Sequence, residues 1–232
     1  MDLYANYLVQ VLLFVGFALS LNLLLGYAGQ VSVAHASFGA VGGYAVGYLA
    51  LHYHWNIVPA LVLGMVASFV LGGILGLPAL RLPLEFLILL TLAVGLVIIG
   101  AIGSFPALGG VYGLVGIPDP DLFGYHLGHP VDYVLPVLVI TAAIWFVCFR
   151  IGESPYGRVL KGIREDDVVV RALGKDTVAY KVWVFALTSG LAALSGGMYA
   201  SFNHLSTQAL FGFNTSLKIF AIVIFGGMAN LT

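Results

Sequence analysis

Two hundred of the 232 residues share only seven charged side chains, while the remaining 12 charges fall within residues 150–181. A soluble domain places about a quarter of its residues in charged types, whereas here 8% are charged and 61% are hydrophobic. Most of the chain therefore has to reside in lipid, where no water satisfies open backbone groups and helices supply the partners. A crossing of about 30 Å takes about 20 apolar residues. Seven segments approach that length: 7–25, 34–51, 57–77, 86–104, 133–149, 182–201 and 215–229. The sequence predicts an all-α, polytopic integral membrane protein with about seven transmembrane helices, built as a single transmembrane domain over residues 1–232. The last segment is short and reaches Thr232 without a cap or polar tail, which reads as a chain incomplete at its C-terminus. Ala34-His35-Ala36 imitates a signal-cleavage site, but Asp2 stands where a basic n-region would be and the apolar stretch is too long for a signal peptide.

The same charge distribution orients the chain. Residues 150–181 carry seven Lys and Arg, whereas 105–132 hold three Asp and no basic residue. Basic loops are retained on the cytoplasmic side, so 150–181 is expected inside, as is Arg81, with the turn at 52–56 and the N-terminus outside. A net charge of -1 without a basic arm argues against nucleic acid as a partner. The lone Cys148 can form neither an intrachain disulfide nor a Cys-rich metal site. The pairs His52/His54 and His126/His129 lack the Cys or carboxylate company of a strong metal site, so no metal is expected. No P-loop and no nucleophile elbow occur, and the spans hold almost no ionisable groups, so neither ATP binding nor catalysis is expected of this chain.

Thirty glycines punctuate the apolar body. Gly39, Gly43 and Gly47 recur every fourth residue, as do Gly72 and Gly76, and Ser189, Ala193 and Gly197. Such stripes let helices approach closely where no hydrophobic force drives them together. Two stretches read instead as irregular backbone. In 26–37, Gly29, Gln30, Ser32, His35 and Ser37 interrupt an apolar run without a charge, as a helix broken inside the membrane would, its freed polar groups able to receive a zwitterion. A tight interhelical turn reads equally well from this stretch alone. The second is 109–118, with Gly109, Gly110 and Gly113 followed by Gly116 and Pro118.

Within 150–181, Ser154-Pro155 forms an N-cap and first-turn pair, and Gly174 suits a helix C-terminus. Val159, Leu160 and Ile163 share one face of the helix between them, with Arg158, Lys161 and Glu165 elsewhere, and a division near Gly162 is expected. An amphipathic element of this kind lies on the bilayer surface or docks into a partner's groove; its mixed signs favour a protein.

Three stretches taken in order resemble a known family. Leu21-Asn22 through Gly26-Tyr27-Ala28-Gly29-Gln30 to Phe38-Gly39 and Gly43-Tyr44 is similar to the early signature of permease subunits of branched-chain amino-acid ABC importers. Ser154-Pro155-Tyr156-Gly157-Arg158, continuing through Lys161, Ile163, Arg164, Glu165 and Asp166 to Ala172-Leu173-Gly174, resembles their ATPase-coupling loop, and Phe225-Gly226-Gly227-Met228 the start of a late glycine segment. The pattern is nearer the LivM-type half of the permease pair than its LivH-type partner. The resemblance implies alternating access in a bacterial or archaeal cytoplasmic membrane. It implies a second, LivH-type permease subunit, two cytoplasmic ATP-binding subunits that hold ATP and Mg, and an extracytoplasmic amino-acid-binding protein delivering Leu, Ile or Val. Surrounding lipid is the remaining partner. Carried onto this chain, Gly29, Gln30, Ser32, His35, Ser37, Gly109, Gly110 and Gly113 become candidate pathway residues. Tyr156, Gly157, Arg158, Lys161, Ile163, Arg164, Glu165, Ala172 and Gly174 become candidate ATPase-coupling residues. Two departures stand out: Val168, Val169, Val170 and Arg171 replace the family's small residues before Ala-Leu-Gly, and the Gly-Pro continuation past Thr232 is absent. Import of urea or short amides, or a passive channel without an ATPase, are the competing readings.

Overall fold

A computed structural model describes residues 2–79, 84–122 and 125–228. Among these residues five helices are long and apolar enough to cross a membrane: Asp2–Tyr27, Ile57–Pro78, Phe86–Ser104, Pro130–Gly152 and Thr177–Phe202. They belong to α1 (Asp2–Asn22) with its π-helical extension Leu23–Tyr27, α3 (Ile57–Ala79), α4 (Leu84–Ser104), α5 (Pro130–Gly152) and α8 (Thr177–Phe202). The two other expected spans are of a different kind. α2 (His35–Tyr53) has 19 residues, rich in glycine and buried along most of its length by its neighbours. α9 (Phe213–Gly226) has only 14. Between α5 and α8 lie the two short helices α6 (Pro155–Glu165) and α7 (Asp167–Ala172). The expected inside position of Arg81, and the end of the last segment at 229–232, lie outside the described residues.

Side-chain hydroxyls bonded to carbonyls of neighbouring helices hold the bundle together, as expected where apolar surface gains little by leaving lipid. Thr141 donates to Leu12 O at 3.2 Å and Cys148 to Leu19 O at 3.6 Å, which sets α1 and α5 parallel. Ser68 of α3 reaches both Ser189 O of α8, at 2.9 Å, and Phe38 O of α2, at 3.4 Å. α2 and α8 cross at their backbones: a Cβ on Gly42 would overlap the Ala193 carbonyl, and one on Gly196 the Gly39 carbonyl. The regular stripe does something else. Gly39, Gly43 and Gly47 make room for Phe17, Phe211 and the pair Leu114/Ile117, so the stripe accepts side chains while Gly42, one position off it, accepts the helix.

Local capping corrects several boundaries. α8 begins at Thr177, before the apolar run at 182, because Asp176 accepts from Ala179 N at 3.2 Å. α5 begins at Pro130 behind a capping box in which His129 N donates to Asp132 at 3.0 Å. The amphipathic helix divides at Asp166 rather than near Gly162, since the Asp166 carboxylate accepts from Val168 N at 2.8 Å and Val169 N at 3.2 Å.

At the end of the bundle opposite α6 and α7, the connection after α4 forms two 3-10 turns, Pro106–Leu108 and Gly110–Tyr112. It then pairs β1 (Leu114–Val115) with β4 (Leu205–Ser206), while β2 (Asp121–Leu122) pairs with β3 (Tyr125–His126), both antiparallel. Gly116 N and Ile117 N share the His204 carbonyl at 3.0 Å each. The N-terminal half of α1 and the turn after α2 lie at this same end of the bundle, away from α6 and α7.

Candidate functional site

The first candidate stretch is an irregular segment buried inside the protein. α1 loosens into the five-residue π-turn, and Gly29, at φ +67°, takes the chain out of the helix. π-turns within helices frequently mark functional sites. Residues 29–34 then run without regular structure until α2 starts at His35. Four elements hold this segment. Ser20 of α1 meets His35 Nε2 at 2.7 Å; Val33 N donates to Thr91 of α4 at 3.3 Å; Ala36 N donates to Ser216 of α9 at 3.2 Å; and Arg164 of α6 donates to the Gly26 carbonyl. Ser37 lies against Gly95, where a Cβ would come within 3.1 Å of its hydroxyl.

Inside this frame Gln30 is 3% exposed and Ser32 1%, yet neither the amide oxygen and nitrogen of Gln30 nor the Ser32 hydroxyl has a hydrogen-bond partner among the described residues. Leaving a buried polar group unmatched costs about 1–3 kcal/mol, so these atoms are where a partner of polar chemistry belongs. Two more unmatched hydroxyls, Tyr44 and Ser206, lie farther along α2 and at its far end. Tyr44 is nine residues past His35, or about 14 Å along a helix.

The structure does not bring the two candidate pathway stretches together. Gly109, Gly110 and Gly113 all have positive φ, at 79°, 57° and 72°, and form the turns beside β4 at the far end of α2, where Leu114 packs on Gly47. They shape an end loop, while Gln30, Ser32, His35 and Ser37 sit near the opposite end.

The coupling residues divide between two faces. Ser154 caps α6 by accepting from Gly157 N at 3.2 Å. Gly157 fits under the Gly152 carbonyl, and Leu160 and Ile163 are buried against the bundle. Tyr156 stacks on Tyr180, centroids 4.8 Å apart, and donates to its carbonyl at 2.8 Å; burial and Tyr180 push the phenol up to about 12. Lys161 stands 4.9 Å over the Tyr27 ring and 3.8 Å from Glu153. The stem of Arg164 lies across Gly29. Five of the nine candidates therefore face or touch the membrane bundle. Arg158, Glu165, Ala172 and Gly174 face away from it.

The outward face is completed by Val168 and Val169, which stand where the family has small residues, and by Leu173 of the Ala-Leu-Gly element. Val168 and Leu173 are 73% and 75% exposed, with Val169 half exposed, amid charged neighbours. Their base is fixed by Asp167, which pairs with Arg171 and, at 3.1 Å, with Lys181 of α8. Burial pushes the Asp167 carboxyl up, but hydrogen bonds from Arg171, Thr177 and Lys181 outweigh it and hold the group at about 2. A run of three valines in an otherwise charged loop was the signal for this apolar knob.

The profile of the family described as branched-chain amino acid transport system / permease component matches residues 3–232. The high-affinity branched-chain amino acid transport system permease protein LivM of Salmonella typhimurium is 27% identical over 244 residues, covering 94% of this chain and 57% of that protein. Its Escherichia coli counterpart matches at 27% over 247 residues, with the same coverage. A probable LivM of Methanocaldococcus jannaschii is 26% identical over 250 residues, covering 92% of this chain and 72% of the relative. A probable LivH of the same organism is 24% identical over 248 residues, covering 99% and 73%. The chain thus spans a little over half the length of the two enterobacterial relatives, and no solved structure matches it. With a family profile running through the buried break, the paired short helices and the glycine-packed bundle, this multi-pass membrane protein belongs to the branched-chain amino acid transport permease family.

Proposed function

We propose that the chain is one of two permease subunits of an ATP-driven importer of branched-chain amino acids, working by alternating access in a bacterial or archaeal cytoplasmic membrane. Its companions are a LivH-type permease, two ATP-binding subunits carrying ATP and Mg, and an extracytoplasmic protein that delivers Leu, Ile or Val. The observation that carries this reading is the direct contact of a charged helix pair, which presents an apolar knob on its other face, with Gly26 and Gly29 at the break that leads into the buried, unmatched Gln30 and Ser32. A zwitterion moving through an apolar body needs polar atoms where it pauses, and a broken helix offers them. A force-generating subunit needs something to grip, and Val168, Val169 and Leu173 form a hydrophobic anchor ringed by charge, suited to a pocket on a soluble protein.

Co-reconstitution of the full-length protein with these companions tests it. Leucine-loaded binding protein outside and ATP inside are expected to drive accumulation of leucine, and omission of the ATP-binding subunits abolishes it. Flux without them returns the passive-channel reading, and uptake of urea in preference to leucine returns the amide reading.

A further inference from the structure

We propose that Arg164 is a positioning residue that transmits movement of α6 to the buried break, by holding the π-helical end of α1 from a point 138 residues away in the chain. This rests on the import reading above and adds a route for its coupling.

The contact is built from several parts. The π-turn Leu23–Tyr27 ends in carbonyls that the broken helix leaves without successors. The Arg164 guanidinium donates to one of them, Gly26 O. Its stem runs across Gly29, whose φ of +67° excludes most side chains and whose missing Cβ leaves the space the stem occupies. Lys161, one turn earlier on α6, covers the Tyr27 ring, and that ring in turn lies against Gly152, where a Cβ would come within 2.7 Å of it. α6 thus grips the last residues before the break on two successive turns.

The geometry makes Arg164 the moving end. The first turn of α6 is anchored where Gly157 packs on the Gly152 carbonyl, whereas Arg164 lies in its last turn. A tilt of α6 displaces that last turn most. Gln30 follows Gly26 by four residues and Ser32 by six, so what moves the Gly26 carbonyl moves the unmatched polar atoms. Arg164 is exposed overall while its guanidinium turns to the Gly26 carbonyl, and a partner gripping the outward Val168 and Leu173 would pull on it through α7 and α6.

The test uses the full-length protein with all four companion subunits in proteoliposomes and compares Arg164→Met, which keeps the stem, Arg164→Gln, which is shorter and polar, and Arg164→Lys, which keeps a cationic donor. Two quantities are read: the ratio of ATP hydrolysis with leucine-loaded binding protein to hydrolysis without it, and the nucleotide dependence of maleimide labelling at Val31→Cys in a Cys148→Ser background. The Met and Gln variants are expected to retain the ATP-binding subunits on purification, to lower the ratio at least tenfold and to make labelling independent of ATP; Lys restores at least half of both. A wild-type ratio in the Met or Gln variant overturns the proposal. Loss of the ATP-binding subunits from those variants also overturns it, since Arg164 would then be a docking contact. A wild-type assembly that shows no stimulation at all overturns the import reading itself, and this role with it.

Discussion

The Ser20 hydroxyl lies 2.7 Å from Nε2 of His35 and also donates to the Phe17 carbonyl at 2.8 Å. The Ser20 oxygen thus serves both a carbonyl of its own helix and the ring nitrogen of the next. This bond ties the start of α2 to α1 across the break. Ser20→Ala strands the buried ring nitrogen and is expected to cost about 1–3 kcal/mol. Thermal unfolding of the purified protein checks it; an unchanged midpoint would show that the bond contributes nothing.

The crossing of α2 over α8 depends on a position outside the regular glycine stripe. Gly42→Ala forces a methyl into the Ala193 carbonyl, and overpacking of this kind costs about 1–3 kcal/mol. Gly100→Ala is the control, because open space surrounds that position on α4 and alanine favours a helix over glycine by up to about 1 kcal/mol. The two variants should move the unfolding temperature in opposite directions.

Gln30 separates stability from transport. Its amide is buried without a partner among the described residues, so Gln30→Leu, apolar and similar in volume, is expected to leave stability equal or higher. Leucine uptake by the reconstituted assembly should nevertheless fall at least tenfold. Normal uptake in that variant removes Gln30 from the pathway.

Asp167 predicts a pH dependence with a definite sign. Its folded value of about 2 lies below the ordinary 3.8, so the carboxylate contributes stability above the ordinary value, and that contribution is lost as pH falls from 3.8 toward 2. After allowance for solvent screening it is worth about 1 kcal/mol. Asp167→Asn should therefore unfold at a lower temperature than wild type at neutral pH, and the gap should close as the medium is acidified through that window. A gap independent of pH would assign the loss to something other than the charge.

Leu173→Glu places a charge in the exposed knob without disturbing the bundle, since Leu173 is 75% exposed. Co-purification of the ATP-binding subunits with the full-length protein is expected to fall at least tenfold at an unchanged unfolding temperature. Full retention would mean that they grip another surface.

Much was legible in one dimension because lipid imposes a rule readable residue by residue. A stretch with no charge must be helical and must cross or pack, and a stretch holding most of the charge must leave the membrane. The caps at Ser154 and Gly174 were legible for a similar reason, as they act within a turn of the chain. The division at Asp166 was obscured by Gly162, the residue that looks more like a breaker, because a carboxylate bonded to two backbone N–H groups outcompetes flexibility.

What residue order by itself determined was a helical membrane body, one charged helix pair and two irregular glycine-bearing stretches, all consequences of short-range solvation and capping. Only the tertiary structure decided that these two stretches lie toward opposite ends of α2, that Arg164 turns to Gly26, that Gly42, off the stripe, meets the α8 backbone at Ala193, and that Gln30 and Ser32 are left unmatched among the described residues. Each of these is set by which distant segment occupies a side chain's space, and packing between residues far apart in the chain leaves no periodic trace in either partner.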